Sequence, residues 1–367
     1  MKIQGVPRRS IEIVPGGGTV RILDQTLLPH EIGWRELSSR EEVVESIKTM
    51  RVRGAPLIGA TAAYGYFFAL RDDPSDEMTV QAYDRLLATR PTAVNLRWAL
   101  DRVRRVVQPL GPDARAGAAW AEAGAICEED VRTNHDIGVH GLELLHEAAR
   151  RNPPGSGPLQ IMTHCNAGWL GCVDWGTAIA PIYQAHDAGL DLHVWVSETR
   201  PRGQGASLTA WELGQHSVPH TLIVDSEAGH LAQRGLVDIM IVGADRVTAR
   251  GDAANKIGTY LKALAARAHD IPFYVALPVS TIDWTIEDGI RQIPIEQRGG
   301  REVTHLWGIS EDGRRQEVLI APQGTVARND AFDVTPGGLI TGLVTQHGVF
   351  EACAEGLGRL ALALGRP

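Results

Sequence analysis

After residue 159 the chain repeats one pattern. Short apolar runs of strand type, Leu159 to Thr163, Leu192 to Val196, Thr221 to Val224, Asp238 to Val242 and Phe273 to Leu277, alternate with helix-patterned connections. Strands joined through a helix-length connection pair in parallel, so the alternation predicts an α/β fold. Its C-terminal part is a doubly wound, mostly parallel, Rossmann-like sheet with right-handed crossovers. In such a sheet ligands bind just beyond the carboxyl ends of the strands. The residues there are Cys165 and Asn166, Glu198 and Arg200, Asp225 and Ser226, Asp245 and Arg246, then Ser280, Thr281 and Asp283. So many titratable groups at one end mark that rim as the place of an active site.

The first run ends on Thr163-His-Cys-Asn-Ala-Gly, a strand feeding a turn, and an apolar helix-like run from Thr177 to Ala185 follows. Cys165 there, near a helix N-terminus, is expected to have a lowered thiol pKa and to act as base or nucleophile; the plainer alternative is an inert core cysteine. Asp245 follows Ile239-Met-Ile-Val, so desolvation would raise its carboxyl pKa as a general acid requires. Its alternative is a turn cap or a pair with Arg246.

Residues 1 to 151 read as a smaller N-terminal α+β domain, a β-meander plus helices. The breaker segment Asn152 to Pro158 separates it from a Rossmann-like catalytic domain over 159 to 367, and 367 residues are enough for two cores. Ile11-Glu-Ile-Val and Thr19-Val-Arg-Ile-Leu flank the turn Gly16-Gly-Gly, which lacks the following helix and the Lys-Ser/Thr of a phosphate loop. Ser38-Ser-Arg-Glu-Glu is a capping-box start for a helix to about Met50. Ala55 to Leu70 is uncharged but too short and glycine-broken for a membrane span, hence a buried helix. Residues from about 115 to 150 form a long amphipathic helical region with Cys127 packed on its apolar side.

Charge decides against one class of partner. With 44 acidic against 36 basic residues and a net charge of -8, nothing resembles a nucleic-acid footprint. The N-terminus has no apolar stretch of signal-peptide length, and Cys127, Cys165, Cys172 and Cys353 are scattered without C-x-x-C spacing, so a cytoplasmic chain with reduced thiols is expected. His164 and His193 lack ligand-spaced partners, and no metal site is expected.

Three stretches suit an anion. Arg51-Val-Arg-Gly-Ala-Pro leads two arginines into Pro56 at the first turn of the buried helix, where free N–H groups and a guanidinium meet; a solvated loop arginine is the equal alternative. Arg200-Pro-Arg-Gly-Gln-Gly-Ala-Ser opens a helix with small residues. Gly251-Asp-Ala-Ala-Asn-Lys-Ile-Gly-Thr brings an amide and an ammonium ahead of another helix. None matches a Walker or Rossmann glycine pattern.

Taken in order, Val52-Arg-Gly-Ala-Pro-Leu-Ile-Gly, Arg90-Pro-Thr-Ala-Val-Asn-Leu, Cys165-Asn-Ala-Gly, Glu198-Thr-Arg-Pro with Gln204-Gly-Ala and Leu208-Thr-Ala-Trp-Glu-Leu, Gly243-Ala-Asp-Arg, Ala254-Asn-Lys-Ile-Gly-Thr-Tyr, Ser280-Thr-Ile-Asp and Ala331-Phe-Asp-Val-Thr-Pro resemble the methylthioribose-1-phosphate isomerase family over nearly the whole chain. Its superfamily also holds isomerases of ribose 1,5-bisphosphate and 5-deoxyribose 1-phosphate, and regulatory subunits of a translation-initiation exchange factor. The resemblance implies an aldose–ketose isomerase of methionine salvage, without metal or cofactor, acting as a homodimer on a small sugar phosphate. It implies Cys165 and Asp245 as the catalytic pair, and Arg53, Gly54, Ala55, Arg90, Gln204, Asn255 and Lys256 as substrate contacts.

The chain departs from the family pattern in places. Trp169-Leu-Gly-Cys-Val-Asp-Trp replaces a run of small residues, Ser207 stands where arginine is expected, and Gly203 where a larger apolar residue is usual. These changes are expected beside the substrate's 5-substituent. The rival substrates are 5-deoxyribose 1-phosphate and ribose 1,5-bisphosphate, the latter disfavoured by the missing arginine. A non-catalytic regulatory scaffold would have lost the cysteine or the aspartate, and both are present.

Overall fold

The computed structural model describes residues 1–153 and 155–366. It begins with a hairpin of β1 (Lys2–Ile3) and β2 (Val6–Pro7) and an antiparallel meander of β3 (Ile11–Ile13), β4 (Val20–Leu23) and β5 (Trp34–Leu37). The triple glycine turns β3 into β4. Helix α1 (Arg40–Lys48) starts on the expected capping box, the Ser39 hydroxyl accepting from the Glu42 N–H while Glu42 accepts from the Ser39 N–H at 3.0 Å. Four more helices follow: α2 (Ala55–Asp72), α3 (Asp76–Leu87), α4 (Val94–Val107) and the 40-residue α5 (Pro112–Arg151).

The apolar run becomes α2, buried from Ala55 to Leu70 apart from half-buried Pro56, and the other helices wrap it. Gly59 permits this: a Cβ there would lie 2.7 Å from the Asn95 carbonyl oxygen of α4. Helix α5 serves two cores. Ala119, Ala123, Ile126 and Cys127 close the helical core around α2, whereas Ile137, Leu145 and Ala148 pack against the central sheet.

The chain continues through β6 (Leu159–Thr163), β7 (Leu192–Ser197), β8 (His220–Ile223), β9 (Ile239–Val242), β10 (Arg246–Thr248), β11 (Ala253–Lys256), β12 (Phe273–Ala276), β13 (Ile282–Asp283), β14 (His305–Ile309), β15 (Arg315–Leu319), β16 (Phe332–Thr335), β17 (Gly342–Thr345) and β18 (Gly348–Phe350). Helices α6 (Ala180–Asp187), α7 (Ala210–Gln215), α8 (Glu227–Gln233) and α9 (Thr259–Ala268) lie in the crossovers. The seven-stranded central sheet has the order β18-β17-β12-β9-β6-β7-β8, parallel except for the edge strand β18. Read by sequence, its six parallel strands stand 3-2-1-4-5-6, the doubly wound arrangement. The order reverses between β6 and β9, which is the point where such sheets bind ligands. β9, β12 and β17 are buried at every residue, as strands covered on both faces must be.

All five expected strands form within two residues of their expected bounds. The repeat is not continuous, however. A second sheet, β13-β10-β11-β16, is inserted between the repeats, and β14 pairs with β15 in a separate hairpin. The helix expected from Thr177 starts later, at Ala180. No helix among the described residues is long and apolar enough to cross a membrane.

Candidate active site

Cys165 stands just past β6 and Asp245 just past β9, on the two sides of the switch point. Between them opens a cleft of about 1050 Å³, its mouth included. All nine residues singled out from the sequence line it: Cys165, Asp245, Arg53, Gly54, Ala55, Arg90, Gln204, Asn255 and Lys256. They come from the start of α2, the turn before α4, two strand ends, the loop after β7, and β11 of the second sheet.

The α2 contribution depends on one glycine. Gly54, at φ +88°, packs on Gly171, and a Cβ would come within 2.5 Å of the Gly171 Cα. This contact brings the uncapped start of α2 into the cleft, with Ala55 and Pro56 in its wall. Arg53 is buried and donates to the Asn166 carbonyl at 2.7 Å and to its side-chain oxygen. Asn166 in turn donates to Glu212 at 2.8 Å and to the Thr209 hydroxyl at 3.1 Å. The guanidinium is therefore aimed by a buried relay that runs back into the first turn of α7. Burial pushes the Glu212 carboxyl up to about 8.

Cys165 turns the chain at φ +63°, a conformation that costs an L-residue roughly 1–2 kcal/mol. Two threonines hold it there: its N–H donates to the Thr199 hydroxyl at 2.8 Å, and its carbonyl accepts from the Thr209 hydroxyl at 2.7 Å. Strain kept at a strand end by such bonds is characteristic of functional turns. The lowered thiol pKa expected for a helix N-terminus does not follow. The next segment is a short 3-10 turn over Trp169–Gly171, and α6 starts fifteen residues on. Burial instead raises the thiol pKa, while the neighbouring charges of Arg53 and Lys256 oppose the rise. For Asp245 the expectation agrees: burial raises its carboxyl against the pull of Lys256, Arg90 and Arg53.

Asn255 and Lys256 lie on β11 itself rather than in a loop. Lys256 Nζ donates to the Ala331 carbonyl at 2.8 Å and sits 4.6 Å from the centre of the Phe332 ring. Burial lowers its pKa, with Cys165 and Asp245 opposing. Asn255 donates to the Thr259 hydroxyl at 3.0 Å. Arg90 is paired with Glu296 at 2.7 Å. The side-chain oxygen of Gln204 is buried with no protein partner among the described residues, an acceptor ready for a hydroxyl.

Several rim residues do other work. Asp225 accepts from the backbone N–H groups of Thr199 at 2.8 Å and Arg200 at 2.7 Å, so it shapes the loop that leads to Gln204. Arg246 pairs with Asp283 at 3.1 Å. Glu198, Arg200, Ser226, Ser280 and Thr281 are not in the cleft wall. Of the departures from the family pattern, Gly171 and Cys172 line the cleft, whereas the others lie outside its wall. Trp169 is core, its ring 6.3 Å from that of Trp211, Asp174 pairs with the amino group of Met1, and Gly203 and Ser207 are outside the wall. Sequence reasoning missed the roles of Glu212, Thr199 and Glu296. Glu212 lay within the quoted Leu208-Thr-Ala-Trp-Glu-Leu motif, which was the available signal.

Comparison with known proteins identifies the family. A model of the initiation factor 2 subunit family matches residues 51–352. Methylthioribose-1-phosphate isomerase of Rhodospirillum rubrum is 58% identical over 363 residues, 98% of this chain and 93% of the relative; that of Rhodospirillum centenum is 58% identical over 360 residues, covering 98% and 96%. The crystal structure of 5-methylthioribose 1-phosphate isomerase from Pyrococcus horikoshii superposes with a TM-score of 0.82 at 39% identity, over 97% of this chain and 96% of that one. Translation initiation factor eIF-2B, subunit delta, from A. fulgidus gives 0.76 at 37% identity, over 94% and 96%. The fold thus serves proteins of both descriptions, and the 58% identity over nearly the whole chain puts this one with the isomerases. The chain belongs to the initiation factor 2 subunit family, on its methylthioribose-1-phosphate isomerase branch.

Proposed function

We propose that this protein converts 5-methylthioribose 1-phosphate into 5-methylthioribulose 1-phosphate, the aldose–ketose step of methionine salvage. What carries the reading is the convergence of a thiol, a carboxyl whose pKa burial raises and the cations Arg53, Arg90 and Lys256 on one cleft at the switch point of the sheet. A sugar phosphorylated on its anomeric oxygen has no free aldehyde, so its ring must open with the phosphate attached. Asp245, whose carboxyl pKa burial raises, gives a proton to the ring oxygen as the bond from that oxygen to C1 breaks. Arg53, Arg90 and Lys256 bind the phosphate, and Gln204 and Asn255 meet hydroxyls.

The hydrogen on C2 then moves to C1 and the proton of the C2 hydroxyl leaves, forming the ketose. Cys165 serves this step in one of two ways. As thiolate it takes the C2 proton and returns it to C1. As neutral thiol it packs against a C2 hydride that shifts directly. Its raised pKa favours the second route. Retention of a C2 deuterium in the ketose supports the shift; its exchange with solvent would establish proton transfer through a base, the role that Cys165 would then fill. The protein acts in the cytoplasm as a homodimer on this reading, and a monomeric mass in light scattering at micromolar concentration would remove the dimer.

Substrate identity is tested by offering the purified protein methylthioribose 1-phosphate, 5-deoxyribose 1-phosphate and ribose 1,5-bisphosphate in parallel. Preferential ketose formation from the first is expected. Preference for another sugar would reassign the substrate, and silence on all three from folded protein would favour a regulatory scaffold.

A further inference from the structure

We infer that Glu296 is a positioning residue for the cleft, aiming the Arg90 guanidinium at the anionic group of the substrate through an alternating chain of charges that runs Glu302, Arg298, Glu296, Arg90. The inference rests on the isomerase reading, in which Arg90 meets the phosphate. One oxygen of Glu296 accepts from Arg90 Nη2 at 2.7 Å and the other from Arg298 Nη1 at 3.0 Å. Arg298 is itself held by Glu302, its Nη2 at 2.6 Å and its Nε at 2.9 Å from the carboxylate oxygens. Arg90 lines the cleft and Glu296 does not, so the carboxylate stands behind the guanidinium and an anion meets it from the open side.

The remaining donors of Arg90 are underused. Its Nε is buried without a partner among the described residues, and its Nη1 has the Met50 sulfur at 3.3 Å. One strong acceptor therefore fixes the fork, and without it a long side chain would sample several rotamers. Glu296 can do this because its backbone is anchored: its carbonyl accepts from the Ala331 N–H at 2.9 Å, and the Arg298 N–H donates to the Asn329 carbonyl at 2.9 Å. The carbonyl of the same Ala331 accepts from Lys256. Further along, Glu302 accepts from Arg202 at 2.9 Å and the Val303 carbonyl from Arg200 at 2.7 Å, which ties in the loop bearing Gln204. Residues 296–303 thus join an arginine of the helical half to a glutamine of the sheet half.

A carboxylate on a substrate-binding arginine has a rival meaning, a placeholder that the phosphate must expel. The two meanings predict opposite signs. With Glu296→Ala in the full-length protein, positioning predicts that KM for methylthioribose 1-phosphate and the inhibition constant of inorganic phosphate rise together by roughly tenfold, the scale of one charged hydrogen bond, with a much smaller change in kcat. Glu296→Gln, which keeps an acceptor without the charge, falls between and serves if the alanine variant does not fold. In an Arg90→Gln background Glu296→Ala adds nothing further, because the group it aims is gone. Tighter phosphate binding, unchanged constants, or additive losses in the double variant would overturn the inference. If Arg90→Gln alone leaves phosphate inhibition unchanged, the role of Arg90 and this inference fall together, while ketose formation by the unaltered protein still decides the isomerase reading.

Discussion

Gly54→Ala isolates the contact on which the assembly of the cleft depends. At φ +88° an L-residue is strained by roughly 1–2 kcal/mol. The added methyl would also lie 2.5 Å from the Cα and 2.8 Å from the carbonyl carbon of Gly171, backbone that cannot rotate aside as a side chain can. Overpacking of this kind costs roughly 1–3 kcal/mol, so the expected total is about 2–5 kcal/mol. Gly117→Ala provides the matched opposite. Gly117 lies within α5, is exposed, and has nothing within 4 Å of an added Cβ; alanine there should stabilise by roughly 0.5–1 kcal/mol. Urea denaturation followed by circular dichroism reads both, with the midpoint moving down for Gly54→Ala and up for Gly117→Ala. Turnover should fall in the first variant alone, because displacing Gly171 disturbs the neighbouring Arg53–Asn166 pair. A Gly54→Ala protein as stable and as active as the parent would refute the claim that the start of α2 must touch Gly171.

Arg53→Lys keeps the charge but cannot make both bonds to Asn166, so KM should rise by roughly tenfold or more while the fold persists; an unchanged KM would show that the fork geometry is irrelevant. Stability should fall as pH rises from about 4 to about 8. Burial holds the carboxyls of Asp130 and Glu212 up to about 7 and about 8, so in that window the folded protein binds more protons than the unfolded chain. Glu212→Gln should flatten that slope, and a profile still as steep would assign it to other groups. Asp245 must hold its proton to act as an acid, so kcat should decline on the alkaline side, and a rate that climbs throughout would exclude the role.

Periodicity revealed the parallel strands because each is a short apolar run bounded by turn residues, and from their order the rim followed. The second sheet was hidden for the opposite reason. Arg246-Val-Thr, Ala253-Ala-Asn-Lys and Phe332-Asp-Val-Thr carry polar residues in strands of three or four, and although β10 and β11 pair locally, the strands that flank them, β13 and β16, come from far along the chain. Motifs identified the lining of the cleft, Arg53 and Lys256 among it, but not the groups that aim it. Glu212 reaches Asn166 across 46 positions and Glu296 reaches Arg90 across 206, separations that local pattern does not register. Position alone also misled for Cys165, since a strand end followed by a 3-10 turn offers no helix dipole and leaves burial to set the thiol.

The most direct measurement compares ketose formation from methylthioribose 1-phosphate by the unaltered protein, Cys165→Ser and Asp245→Asn, each first shown to be folded by circular dichroism. Robust turnover in the first, its loss by roughly 10²–10⁴-fold in Asp245→Asn and a clear fall in Cys165→Ser is the predicted result. Near-full activity in either variant would remove that residue from the chemistry and contradict the assignment of the cleft.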